Sequence, residues 1–135
     1  MENKKNFLST VWIFVTLNYL YCDLIGLMDA SLLKQYLTGN VEGLRIDESF
    51  LLYAGILMEI PIAMVVLCKI LPKNTNCWAN IIAGSIKTIV MVVTLFVGSV
   101  TKYYLFFACI EIATTIFIVW FSIKWLKKKL NIEEN

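Results

Sequence analysis

Four ionisable residues stand inside runs that are otherwise apolar: Asp23, Glu59, Lys87 and Glu111. Lys87 is the sharpest case, at the middle of a run from Trp78 to Gly98. About 20 residues at roughly 1.5 Å each match the hydrocarbon thickness of a bilayer, so this run is expected to be a transmembrane helix. A lysine at its centre costs roughly 2.5–3.5 kcal/mol to insert. From mid-helix its side chain is too short to reach the interface, so it needs partners from neighbouring helices. Three acids and one base in a water-poor interior suit three kinds of chemistry: a fixed ion pair, binding of a cation or amine, or proton handling.

The charges of such a cluster do not balance. Asp23, Glu59 and Glu111 against Lys87 alone leave two negative charges in a medium of low dielectric. Either Glu59 or Glu111 keeps its proton at neutral pH, or a small cation or amine supplies the missing charge. A structural ion pair accounts for one carboxylate and not for the rest. Asn18, Tyr19 and Thr115 are the expected hydrogen-bonding partners. The candidate ligand-binding set is therefore Asn18, Tyr19, Asp23, Glu59, Lys87, Glu111 and Thr115, with no catalytic nucleophile, no metal ligands and no cofactor motif.

Composition narrows the alternatives. A chain of 135 residues that is 59% hydrophobic could not hide its apolar surface in one soluble core. The absence of histidine excludes His-ligated haem, most catalytic zinc sites and histidine proton relays. Cys22, Cys68, Cys77 and Cys109 form no C-x-x-C pair and are expected to be free thiols. A net charge of +2 does not call for a nucleic-acid partner.

Four spans must position the charged residues, at about 7–28, 50–71, 78–98 and 103–125, in a single domain covering 1–135. The basic start Lys4-Lys5 before Phe7–Met28 resembles a signal peptide, but no small-residue cleavage site follows, so a retained first span is expected. Between the first two spans, Leu32, Leu33, Tyr36 and Leu37 recur at helical spacing before Gly39, predicting a short amphipathic connector helix that could lie over an inter-helix pocket. Pro61, two residues beyond Glu59, predicts a bend in the second span. Each span carries a stripe of small or polar residues: Ser9-Trp12-Thr16-Tyr19-Asp23-Gly26, then Gly55-Glu59-Ile62-Val66, then Asn80-Gly84-Lys87-Met91-Thr94-Gly98, and Tyr104-Ala108-Glu111-Thr115-Ile118-Ser122. Such stripes are packing seams at least, because small residues let membrane helices approach closely.

Basic residues set the orientation. Lys4, Lys5, Lys69, Lys73, Lys124, Lys127, Lys128 and Lys129 gather on one side, Lys34, Arg45 and Lys102 on the other. The expected fold is all-α: an antiparallel four-helix transmembrane bundle in the plasma membrane, with a short outer amphipathic connector and both termini cytoplasmic. Trp78, Trp120 and Trp125 would mark the inner interface, and Tyr36, Tyr53, Tyr103 and Tyr104 the outer one.

Three stretches carry a resemblance: Trp12-Ile-Phe-Val-Thr-Leu-Asn18-Tyr-Leu-Tyr-Cys-Asp23, Glu59-Ile-Pro61-Ile-Ala-Met, and Trp78-Ala-Asn80-Ile-Ile-Ala-Gly84. With the four-span plan, the chain resembles a family of uncharacterised prokaryotic four-helix integral membrane proteins, distantly similar to the DoxX-like proteins. The resemblance implies fold and location and brings no catalytic residue. The leading expectation for function is binding of a small cation or lipophilic ligand, or proton handling, at the acid/lysine cluster. The alternative is a non-catalytic accessory or interaction subunit whose buried ion pairs only set helix register. The bilayer is the expected partner, and a homodimer suits a bundle this small. An enzyme acting on a lipid-soluble substrate lacks any supporting motif.

Overall fold

The structure, a computed structural model, describes residues 1–97 and 100–133. Gly98 of the third stripe and the side chain of Lys129 fall outside the described residues. Five helices follow one another among the described residues: α1 (Glu2–Met28), α2 (Ala30–Thr38), α3 (Glu48–Ile70), α4 (Lys73–Thr94) and α5 (Lys102–Glu133). A minimal hairpin, β1 (Asn40–Val41) and β2 (Leu44–Arg45), joins α2 to α3. Four of the helices, α1, α3, α4 and α5 as far as Lys128, are long and apolar enough to cross a membrane.

Local signals explain the element boundaries. Asp29 ends α1 and caps α2, its carboxylate accepting from the Ser31 and Leu32 N–H groups and from the Ser31 hydroxyl. The Ser31 side-chain bond, then the backbone N–H groups, hold that carboxyl below its usual range. Gly39 closes α2 in the left-handed conformation at φ 72°. The turn between the two strands places Glu42 (φ 49°) and Gly43 (φ 85°) both in the left-handed region, the geometry that matches strand twist in a two-residue hairpin. Gln35 Oε1 accepts the Glu42 N–H at 2.8 Å and ties the hairpin to α2. The expected connector helix is present, and the hairpin beyond it is an addition. Asp47 caps α3, Pro72 stands immediately before α4, and Pro61 lies within α3.

Helix α1 packs on α3 and α5, and α4 packs on α5 and α3. The buried line of α1 is Leu8, Trp12, Val15, Tyr19 and Cys22, at spacings of three and four. Stripes on α4 (Asn80, Gly84, Lys87, Met91) and α5 (Ala108, Glu111, Thr115, Ile118, Ser122) are buried as expected. On α3 the expectation is overturned. Gly55, Glu59, Ile62 and Val66 all face outward, whereas Pro61, Met64 and Cys68 are the buried positions. Trp125 is buried against its neighbours, with the Lys4 ammonium 5.7 Å from its ring centroid.

One end of the bundle is locked by a buried polar network. The Trp12 Nε1–H donates to Asn80 Oδ1 at 2.7 Å, and the Asn80 amide donates to Asn76 Oδ1 at 2.7 Å and to its carbonyl at 2.8 Å. The Asn76 amide in turn donates to the Cys68 carbonyl, and the Ser9 hydroxyl donates to the Val65 carbonyl at 2.7 Å. Satisfied in this way, groups that would be costly to bury hold α1, α3 and α4 in one register.

Candidate functional site

Towards the other end, α1, α3, α4 and α5 surround a cavity of about 170 Å³. Tyr19 and Asp23 come from α1, Met58 from α3, Lys87 from α4, and Tyr104 and Glu111 from α5. Lys87 sits one helical repeat beyond Asn80 on the same buried line of α4, which turns its side chain inward. Its ammonium lies 4.0 Å from the centroid of the Tyr19 ring and 3.8 Å from Met58 Sδ. The negative face of the phenol and the polarisable sulfur are the contacts of this buried charge.

The expected intramembrane ion pair is not formed. No salt bridge occurs among the described residues, although Asp23, Lys87 and Glu111 line the same cavity. Glu111 is 1% exposed, and its Oε1 has no hydrogen-bond partner; the Tyr19 hydroxyl is buried and unpartnered too. Asp23 lies at the rim, contributing to the lining while remaining exposed on its other side. A void edged by a cation, two acids and an unpaired hydroxyl has room for several waters or a small ligand.

Three of the candidate residues lie elsewhere. Glu59 is exposed on the outer face of α3 and does not line the cavity. The Asn18 amide donates back to the Phe14 carbonyl at 2.9 Å, within its own helix. Thr115 is buried one turn beyond Glu111, where the Thr88 hydroxyl donates to it at 2.7 Å and joins α4 to α5. The structure thus brings Tyr19, Asp23, Lys87 and Glu111 together, with Met58, Met91, Thr94 and Tyr104 as lining residues absent from the candidate set. Met91, Thr94 and Tyr104 already stood in the α4 and α5 stripes, which was the available signal. For Met58 the sequence held none.

A second cavity, of about 240 Å³, lies beside the first, under α2 and the hairpin. Thr94 and Tyr104 line both, and the Tyr104 hydroxyl donates to Thr94 Oγ1 at 2.8 Å. This bond is the partition between them. The connector therefore does cover a pocket, and that pocket adjoins the charged one.

Fold and cavity define a small, mainly helical protein whose four membrane-length helices line an open cavity that holds Lys87, Asp23 and Glu111. The chain belongs to DUF6326, a family of unknown function, whose model matches residues 1–132. No curated protein and no solved structure matches it.

Proposed function

We propose that this is a multi-pass protein of the cell membrane that binds a small monocation, a protonated amine or a proton itself, between Asp23, Lys87 and Glu111. In this reading α1, α3, α4 and α5 form an antiparallel transmembrane bundle with both termini in the cytosol. Paired ends support the antiparallel run: the Phe7 ring lies 5.3 Å from that of Phe121, Gly26 faces Tyr103, and Thr94 meets Tyr104. The excess of lysines near the α1 start, the α3–α4 turn and the α5 end supports the orientation. Kinship with the DoxX-like proteins belongs to the same proposal and rests on the four-span plan and the segments quoted above.

The observation that carries the ligand is Glu111: a carboxyl 1% exposed, one oxygen unpartnered, at the edge of an open chamber. Buried acids are normally paired or hydrogen-bonded. Two acids against one amine leave a single negative charge, which one monovalent occupant neutralises. Thermal unfolding in detergent with methylammonium, sodium or potassium tests this, in the parent and in Glu111→Gln. We expect at least one of these cations to raise the parent's midpoint and to lose that effect in the variant. If none of them, and no change of pH, separates the two proteins, the cluster is structural. The accessory-subunit reading then stands, and the Tyr19 and Met58 contacts that already surround the ammonium are the observation in its favour.

A further inference from the structure

Glu59 is the midpoint of α3, eleven residues from either end of Glu48–Ile70. At 1.5 Å per residue that is roughly 16 Å from each end, the centre of a bilayer if α3 spans one. Its side chain faces outward, away from the chamber. Among the described residues it is the one charged side chain exposed near the middle of a membrane-length helix; Lys87 and Glu111 are both buried. A carboxylate facing lipid at that depth is costly unless something covers it.

The helix that carries it is also the least covered. In α3 11% of the apolar window is buried, against 28–33% in the other three. Leu52 (62% exposed), Ile56 (57%), Val66 (57%) and Ile70 (67%) extend the Glu59 face along the whole helix at a seven-residue repeat. One turn before Glu59, Gly55 leaves open space, with nothing within 4 Å of the position a Cβ would take. An apolar seam with a small notch and one central polar group is the pattern by which membrane helices associate.

We propose that a second copy of this chain covers this face, α3 against α3 about a two-fold axis, with the two Glu59 side chains hydrogen-bonded to each other. Two-fold symmetry brings the residue nearest the axis against itself. A carboxyl carrying its proton both donates and accepts, so two of them complete each other without a counter-charge. No exposed cation of the described chain lies at that depth to offer a different match between copies. The inference requires membrane insertion and is independent of what the chamber binds.

Cysteine cross-linking in native membranes tests it, on a Cys109→Ala background because Cys109 is the one exposed native thiol. Oxidation should link Ile56→Cys and Ile62→Cys into dimers but not Ile116→Cys, which is exposed on α5. In liposomes, energy transfer between labelled copies should show Glu59→Leu weakening dimerisation about three- to twenty-fold, the range for losing an interhelical hydrogen bond. Glu59→Gln, which still donates and accepts, should dimerise like the parent. Equal cross-linking at Ile116→Cys, no cross-linking on α3, or a Glu59→Leu protein that dimerises unchanged overturns the proposal. Carbonate extraction of the same membranes separates the two ways of failing. A released chain sinks the membrane reading itself, whereas an inserted chain that stays monomeric sinks only the dimer.

Discussion

Lys87 shows how a buried charge is accommodated without a salt bridge. A ring face at 4.0 Å and a thioether sulfur at 3.8 Å solvate it in part, and neither Asp23 nor Glu111, which line the same cavity, forms a salt bridge with it. That arrangement separates stability from function. Removing one partner of a tight buried ion pair costs roughly 3–5 kcal/mol, whereas a cation–π contact is worth about 0.5–2 kcal/mol. Lys87→Met keeps the volume and the straight chain. We expect its thermal midpoint in detergent to stay within a few degrees of the parent while the cation response changes. A collapse of the midpoint would show that the ammonium holds the bundle together. The presence of Lys87 at a polar centre was legible in the sequence because an uncompensated lysine cannot sit in hydrocarbon. Its actual partners were not, because a tyrosine and a methionine carry no formal charge to search for.

Among the elements, α3 marks the limit of pattern reading. Helices α4 and α5 carry enough polar contrast (Asn80, Lys87, Glu111, Thr115, Ser122) to fix which face turns inward. In α3 the middle of the span is apolar all round except for Glu59, so the phase signal was that residue with Gly55 one turn before it, and both point outward. The buried positions Pro61, Met64 and Cys68 look no different in sequence from their exposed neighbours. Where contrast exists, the packing is tight. A Cβ on Gly84 would lie 2.8 Å from Val119 Cγ2 and 3.3 Å from the Thr115 carbonyl oxygen. Gly84→Ala should therefore push α4 from α5 and destabilise by about 1–3 kcal/mol, read as a lowered unfolding midpoint. Val119→Ala should restore part of the loss, since a short branched side chain cannot move aside by rotation alone.

Across the whole molecule the two ends differ in kind. One end is a closed network of satisfied amides around Asn80; the other holds two cavities divided by the Tyr104–Thr94 bond and roofed by α2 and the hairpin. The place of the chamber, next to the cavity under α2, suits access to it from the α2 side. That side faces out of the cell if the lysine bias governs topology. Reporter fusions check this: a C-terminal reporter active only in the cytosol should function, and a tag inserted between Gly43 and Leu44 should be labelled by a membrane-impermeant reagent on intact cells. The reverse pattern would invert the orientation.

The sequence by itself determined the helical class, the number and approximate limits of the four long apolar helices, the connector beneath Gly39, and the inward faces of α4 and α5. Each of these follows from local quantities: run length, hydrophobic period, and capping residues next to one another in the chain. Tertiary structure alone decided that Glu59 turns outward, that Lys87 meets a ring and a sulfur instead of a carboxylate, and that Tyr104 and Thr94 divide two cavities. Those depend on the rotation of each helix about its own axis and on side chains far apart in the chain. In a nearly uniform apolar helix such as α3, rotation is settled only by the helices packed beside it.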